Sequence, residues 1–116
     1  MRRYYPITPV PKPRQTRADK YLQRPPVLRY RAFADQCRAM GVQVNESGDR
    51  VLFVMPMPAS WSKKKREQML GEPHQQTPDI DNLIKALLDA VLKQDCAVWD
   101  IRASKLWGND GEIQIE

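Results

Sequence analysis

Thr77-Pro78-Asp79-Ile80-Asp81-Asn82-Leu83-Ile84-Lys85-Ala86-Leu87-Leu88-Asp89-Ala90-Val91-Leu92 is the stretch from which the fold of this 116-residue chain is best read. Ile80, Leu83, Ile84, Leu87, Leu88 and Val91 recur at the spacing of one buried stripe on an α-helix. Thr77 can cap that helix with Pro78 in its first position, or Asp79 can itself be the cap. Asp81, Lys85 and Asp89 stand four apart and form a column beside the stripe, at the rim of any core the helix covers.

A column of alternating charge is most simply a solvated face, each Asp–Lys pair adding ~0.3–0.5 kcal/mol. Two features point further. Asp79 and Asp81 crowd negative charge at a helix start, and Asp100 follows the helix closely, where the chain turns into a strand. Carboxylates that converge on one point repel one another unless a cation lies between them. Oxygen-only ligands suit Mg2+ or Mn2+.

The pattern Pro78-Asp79-Ile80-Asp81-Asn82-Leu83, then Lys85, Asp89 and Ala90, and further on Asp100, resembles the RusA family of Holliday-junction resolvases. Pro56-Met57-Pro58, the run Ser60-Trp61-Ser62-Lys63-Lys64-Lys65-Arg66 and His74 resemble phage-type members. The likeness covers residues 50–107 well and the N-terminal third loosely. It implies a compact homodimer with two active sites, and assigns Asp79, Asp81, Lys85 and Asp100 to catalysis, with Asp79, Asp81 and Asp100 holding the metal. Asn82 and Asp89 match the motif as supporting residues. The family usually has an acidic pair where this chain has Trp99-Asp100, so Asp95 is the alternative third carboxylate.

Forty-one per cent apolar residues supply one modest core, and residues 1–116 read as a single domain. Ten prolines imply extended loops. No apolar run approaches membrane-spanning length and no signal-peptide layout appears, so a soluble, cytoplasmic protein is expected. Cys37 and Cys96 lack metal-ligand spacing, and His74 is the only histidine. The net charge is +5, unevenly spread: residues 1–31 carry nine Lys/Arg and one acid, Asp19, whereas residues 77–116 carry eight acids and four Lys/Arg. That division suits a polyanion binder with a metal site.

Around the helix, residues 2–10 read as an edge strand, residues 11–25 as a basic proline-rich arm, and 26–40 as a helix ending at Gly41. Lys12, Arg14, Arg17 and Lys20 in the arm are candidate phosphate contacts, and Tyr21 and Tyr30 candidate stacking residues. Residues 50–55 read as a central strand and 62–70 as a short helix capped by Ser60 or Ser62. Lys63, Lys64, Lys65 and Arg66 on that helix are further candidate DNA contacts, some of them only solvated. The loop 71–77 reads as mobile, with His74 a possible phosphate contact. Residues 96–103 read as a strand, and 104–108 with 112–116 as a hairpin about Asn109-Asp110-Gly111. Together these elements predict an α+β two-layer sandwich, a mixed sheet with helices on one face.

The function expected on these grounds is Mg2+-dependent cleavage (Mn2+ as the substitute) of four-way junction DNA in recombination and repair. No small-molecule cofactor and no membrane partner are expected. The alternatives are a metal-dependent nuclease on other branched or single-stranded DNA, and a non-catalytic basic DNA-binding module.

Overall fold

The computed structural model describes residues 2–13 and 24–116, the side chain of Asp95 apart. Strand β1 (Arg3–Tyr5) is followed by helix α1 (Pro25–Ala39), strand β2 (Ser47–Pro56), helices α2 (Lys63–Met69) and α3 (Ile80–Val91), strand β3 (Asp100–Gly108) and strand β4 (Glu112–Ile115). A 3-10 turn, Asp95–Ala97, separates α3 from β3. The sheet order is β1-β4-β2-β3. β4 runs antiparallel to both neighbours, and β3 parallel to β2. The fold is therefore α+β with a mixed sheet, as expected.

Alternation decides which face of the sheet is core. Val51, Phe53 and Met55 of β2 and Ile113 and Ile115 of β4 are buried beneath α1 and α3. Arg50, Leu52 and Val54 point the other way, beside Arg102, Ser104 and Leu106 of β3. From the helices, Phe33, Cys37, Leu83 and Leu87 complete the core. Burial pushes the Cys37 thiol up to about 11, so this cysteine serves as an apolar residue.

The helix ends follow local rules. Pro25 and Pro26 open α1, where a missing N–H leaves nothing unpaired. The helix closes on Gly41 at φ 67, with Gly41 N donating to Arg38 O and Val42 N to Cys37 O, the paired bonds of a Schellman stop. Arg38 lies on the exposed side of α1, yet its Nε donates to Ala90 O at 3.0 Å and ties α1 to the end of α3. Ser62 caps α2, its Oγ accepting from Lys65 N at 3.2 Å.

The predicted hairpin does not form. β3 and β4 are not neighbours, because β2 lies between them. The link 109–111 instead carries the chain across the end of β2. A Cβ at Gly108 would run into Val54, and one at Gly111 into Thr8, so both glycines are needed for the close crossing. Turn residues were read correctly, but the pairing across them was not. The first strand is also shorter than the 2–10 expected, and β3 begins at Asp100 with Cys96 outside it.

Candidate active site

Asp79 is the N-cap of α3, with φ −68 and ψ 146, and Asp81 lies in the first helical turn. Among the described residues none donates a capping hydrogen bond to the Asp79 carboxylate. Asp81 Oδ1 accepts from Asn82 N at 3.0 Å, which satisfies one of the N–H groups that every helix start leaves open. Both aspartates are exposed. They line an open cleft of about 680 Å³ together with His74, residues 75–77 and Lys105.

The wall opposite the aspartates is built on β3. The segment leading to Asp79 runs along this strand: Gly71 N donates to Trp107 O, Trp107 N to Glu72 O, and His74 N to Lys105 O, at 2.9–3.0 Å. The loop 71–77, read as mobile, is therefore anchored over its first half. The His74 side chain is 5% exposed and its ring lies 4.2 Å from that of Trp107. Its Nδ1 is buried and, among the described residues, has no hydrogen-bond partner. Burial, helped by the charge of Lys105, lowers the His74 pKa below 6.5. Trp107 also packs on Trp61 at 4.7 Å, and Lys65 Nζ sits 4.4 Å over the Trp61 ring. An aromatic file thus connects the cleft to the basic helix α2.

Lys105 is the residue that sequence reasoning missed. Its Nζ donates to Gln76 O at 2.6 Å and to Pro78 O at 2.7 Å, directly before Asp79. A signal was present: in β3 it falls in phase with Ile101, Ala103 and Trp107, the helix-facing set, where a lysine must find acceptors.

Asp100 does not share the cleft. It is absent from the lining of that cleft, and opens β3 in phase with the outward-facing Arg102 and Ser104. Among the described residues no group of three His, Cys, Asp or Glu side chains stands close enough to hold a metal ion. The side chain of Asp95, the alternative, lies outside the described residues.

The other candidates divide. Lys85 pairs with Asp89 at 3.5 Å, and Asp89 pairs also with Lys12 at 3.3 Å. Lys12 Nζ lies 4.1 Å over the Tyr30 ring, and the Lys12 backbone N–H donates to Asn82 O. Lys12, Tyr30 and Asp89 are therefore engaged with one another, binding the start of the arm to α3. In α2, Arg66 donates to Pro58 O at 2.8 Å and Lys65 covers Trp61, whereas Lys63 and Lys64 stand exposed. Arg14, Arg17, Lys20 and Tyr21 lie outside the described residues. No helix among the described residues is long and apolar enough to cross a membrane.

Two carboxylates at a helix start, facing a lysine across an open cleft in a basic chain, form a hard-oxygen site beside a surface suited to phosphate. A comparison with curated proteins returns no match. A family model does match, over residues 5–116, which is nearly the whole sequence: the chain belongs to the Endodeoxyribonuclease RusA family.

Proposed function

We propose that this endodeoxyribonuclease-family chain resolves four-way DNA junctions by divalent-metal-dependent hydrolysis, acting as a twofold dimer in recombination and repair. The observation that carries the reading is the cleft at the start of α3, which Asp79 and Asp81 line with, among the described residues, no capping hydrogen bond on the Asp79 carboxylate. Their donor set fits Mg2+ or Mn2+, which are held by one or two carboxylates with water and substrate phosphate completing the shell. A bound divalent ion would lower the pKa of a coordinated water and offset charge on the scissile phosphate.

The chain's own residues do the rest. Asp79 and Asp81 bind the ion, and Lys85, one turn beyond Asp81, offers its ammonium to charge developing on the phosphate. The exposed Lys63 and Lys64 hold the DNA backbone, with Arg14, Arg17 and Lys20 of the arm assigned the same part. A twofold dimer suits a junction, because releasing two duplexes takes two matched cuts. For the third carboxylate, Asp100 and Asp95 compete.

The test is cleavage of a synthetic four-way junction against linear duplex and single strand, with and without Mg2+. Asp81→Asn is expected to abolish cutting while binding the junction at least as tightly, since one phosphate-facing negative charge is removed. Asp100→Asn and Asp95→Asn, run side by side, assign the third carboxylate to whichever loses activity. Wild-type nicking by Asp81→Asn in Mg2+ would refute the site, and equal cutting of linear duplex would refute the junction.

A further inference from the structure

We infer that Lys105 is a positioning residue: by holding the carbonyls of Gln76 and Pro78 it sets the Asp79 carboxylate for the divalent ion. This rests on the reading of Asp79 and Asp81 as cation ligands.

The argument begins with how little else fixes Asp79. Its backbone is extended, it stands outside the helix proper, and among the described residues no capping hydrogen bond holds its side chain. What places it is the main chain on either side. On the helix side, Asp79 O accepts from Leu83 N at 3.2 Å. On the loop side, the last main-chain bond to β3 among the described residues is His74 N to Lys105 O. Lys105 then continues the attachment with its side chain, reaching Gln76 O and Pro78 O at 2.6 and 2.7 Å. These are the short distances of charge-assisted bonds. One β3 residue therefore anchors the segment twice, through its carbonyl and through its ammonium, and the second anchor ends one residue before Asp79.

The chemistry of lysine suits the task. An ammonium has three donors, so two carbonyls leave one N–H for the cleft that Lys105 also lines. Its stem lies on the helix-facing side of the sheet and is half-buried. An uncharged side chain of equal length would fill the same space and hold neither carbonyl. A residue that only stabilised the loop would change melting behaviour; one that sets a ligand changes the affinity for the ion. The two roles are therefore separable by measurement.

The experiment uses the full-length chain free of DNA, with Mn2+ as the probe, followed by calorimetry or by the loss of the free-ion electron-paramagnetic-resonance signal. Lys105→Met is expected to weaken Mn2+ binding by about 10–100-fold, the range seen when a partner orienting a metal ligand is lost. The Mg2+ concentration giving half-maximal cutting should rise by a similar factor, and Lys105→Arg, which keeps charge and donors, should recover most of both. Should Lys105→Met fail to fold, Lys105→Gln is compared with Lys105→Arg in the same assays, and equal Mn2+ affinities in that pair overturn the inference. A folded Lys105→Met with wild-type Mn2+ affinity overturns it too. Asp79→Asn is titrated in parallel and should lose the ion. If Asp79→Asn still binds Mn2+ as wild type does, the assignment of the cleft itself has failed, which is distinct from Lys105 having no part in it.

Discussion

Asp89 belongs to the sequence motif, yet its contacts make it a scaffold residue, and a double-mutant cycle with Lys12 can show which. The Lys12–Asp89 pair is 3.3 Å apart with side chains 24% and 22% exposed, whereas Lys85, its other partner at 3.5 Å, is 55% exposed. At 3.3 Å and an effective dielectric near 20, the gross attraction of the first pair is about 5 kcal/mol. Desolvation and the ordering of a long side chain remove most of it, leaving ~1 kcal/mol, at the upper end of the range for exposed pairs. The i,i+4 pair with Lys85 adds only ~0.3–0.5 kcal/mol. Asp89→Asn should then cost about 1.5 kcal/mol, lowering the urea midpoint by roughly 0.5–1.5 M for slopes of ~1–3 kcal/mol/M. Lys12→Met should cost a similar amount, because it also loses the cation–π contact with Tyr30, worth ~0.5–1 kcal/mol. The cycle, read by circular dichroism in urea at pH 7, should give a coupling of about 1 kcal/mol. A coupling inside the ~0.3–0.5 kcal/mol scatter of independent sites would refute the clamp. Loss of cutting by Asp89→Asn without coupling to Lys12 would move Asp89 into the reaction through Lys85.

Two further outcomes are expected. His74 has a folded pKa below its unfolded value of 6.5, so the unfolded chain binds the extra proton. Native stability is therefore undiminished above pH 6.5 and falls as pH drops from there toward the folded pKa. Thermal melts at pH 7.5 and 5.5 should show a larger drop for wild type than for His74→Phe, and equal drops would contradict a neutral buried imidazole. In the arm, Arg14→Ala with Arg17→Ala should weaken junction binding and flatten the plot of log K against log salt by about 2 if each side chain neutralises one phosphate; an unchanged slope would leave the arm merely solvated.

The elements that were legible are those whose signal is local. The 3.6-residue period in 80–91, the glycine stop after α1, the serine cap before α2 and the β-rich run inside β2 each depend on neighbours a few residues away, and each is observed. Sheet order depends on partners far along the chain. Ile113 and Ile115 alternate as any half-buried strand would, and nothing in 104–116 alone distinguishes a hairpin from a strand inserted beside β2. What places β4 is its pairing with both β1 and β2, partners from distant parts of the sequence, and Gly111 passing against Thr8 accompanies that placement.

The same distinction accounts for the candidate site. Asp79 and Asp81 come from one contiguous segment, so their nearness could be read directly from spacing. The other wall comes from β3, and there a single step of alternation decides everything. Asp100 and Lys105 differ by an odd number of residues, so they leave the strand on opposite faces. Asp100 is put forward as third carboxylate by its place after the helix and by the family resemblance, and the comparison of Asp100→Asn with Asp95→Asn decides between the two. Asking instead which β3 residues face the helices selects Ile101, Ala103, Lys105 and Trp107, and makes the one charged member of that set the residue to explain. In a strand bordering a cleft, phase along the strand therefore finds a residue such as Lys105 that a search by residue type passes over.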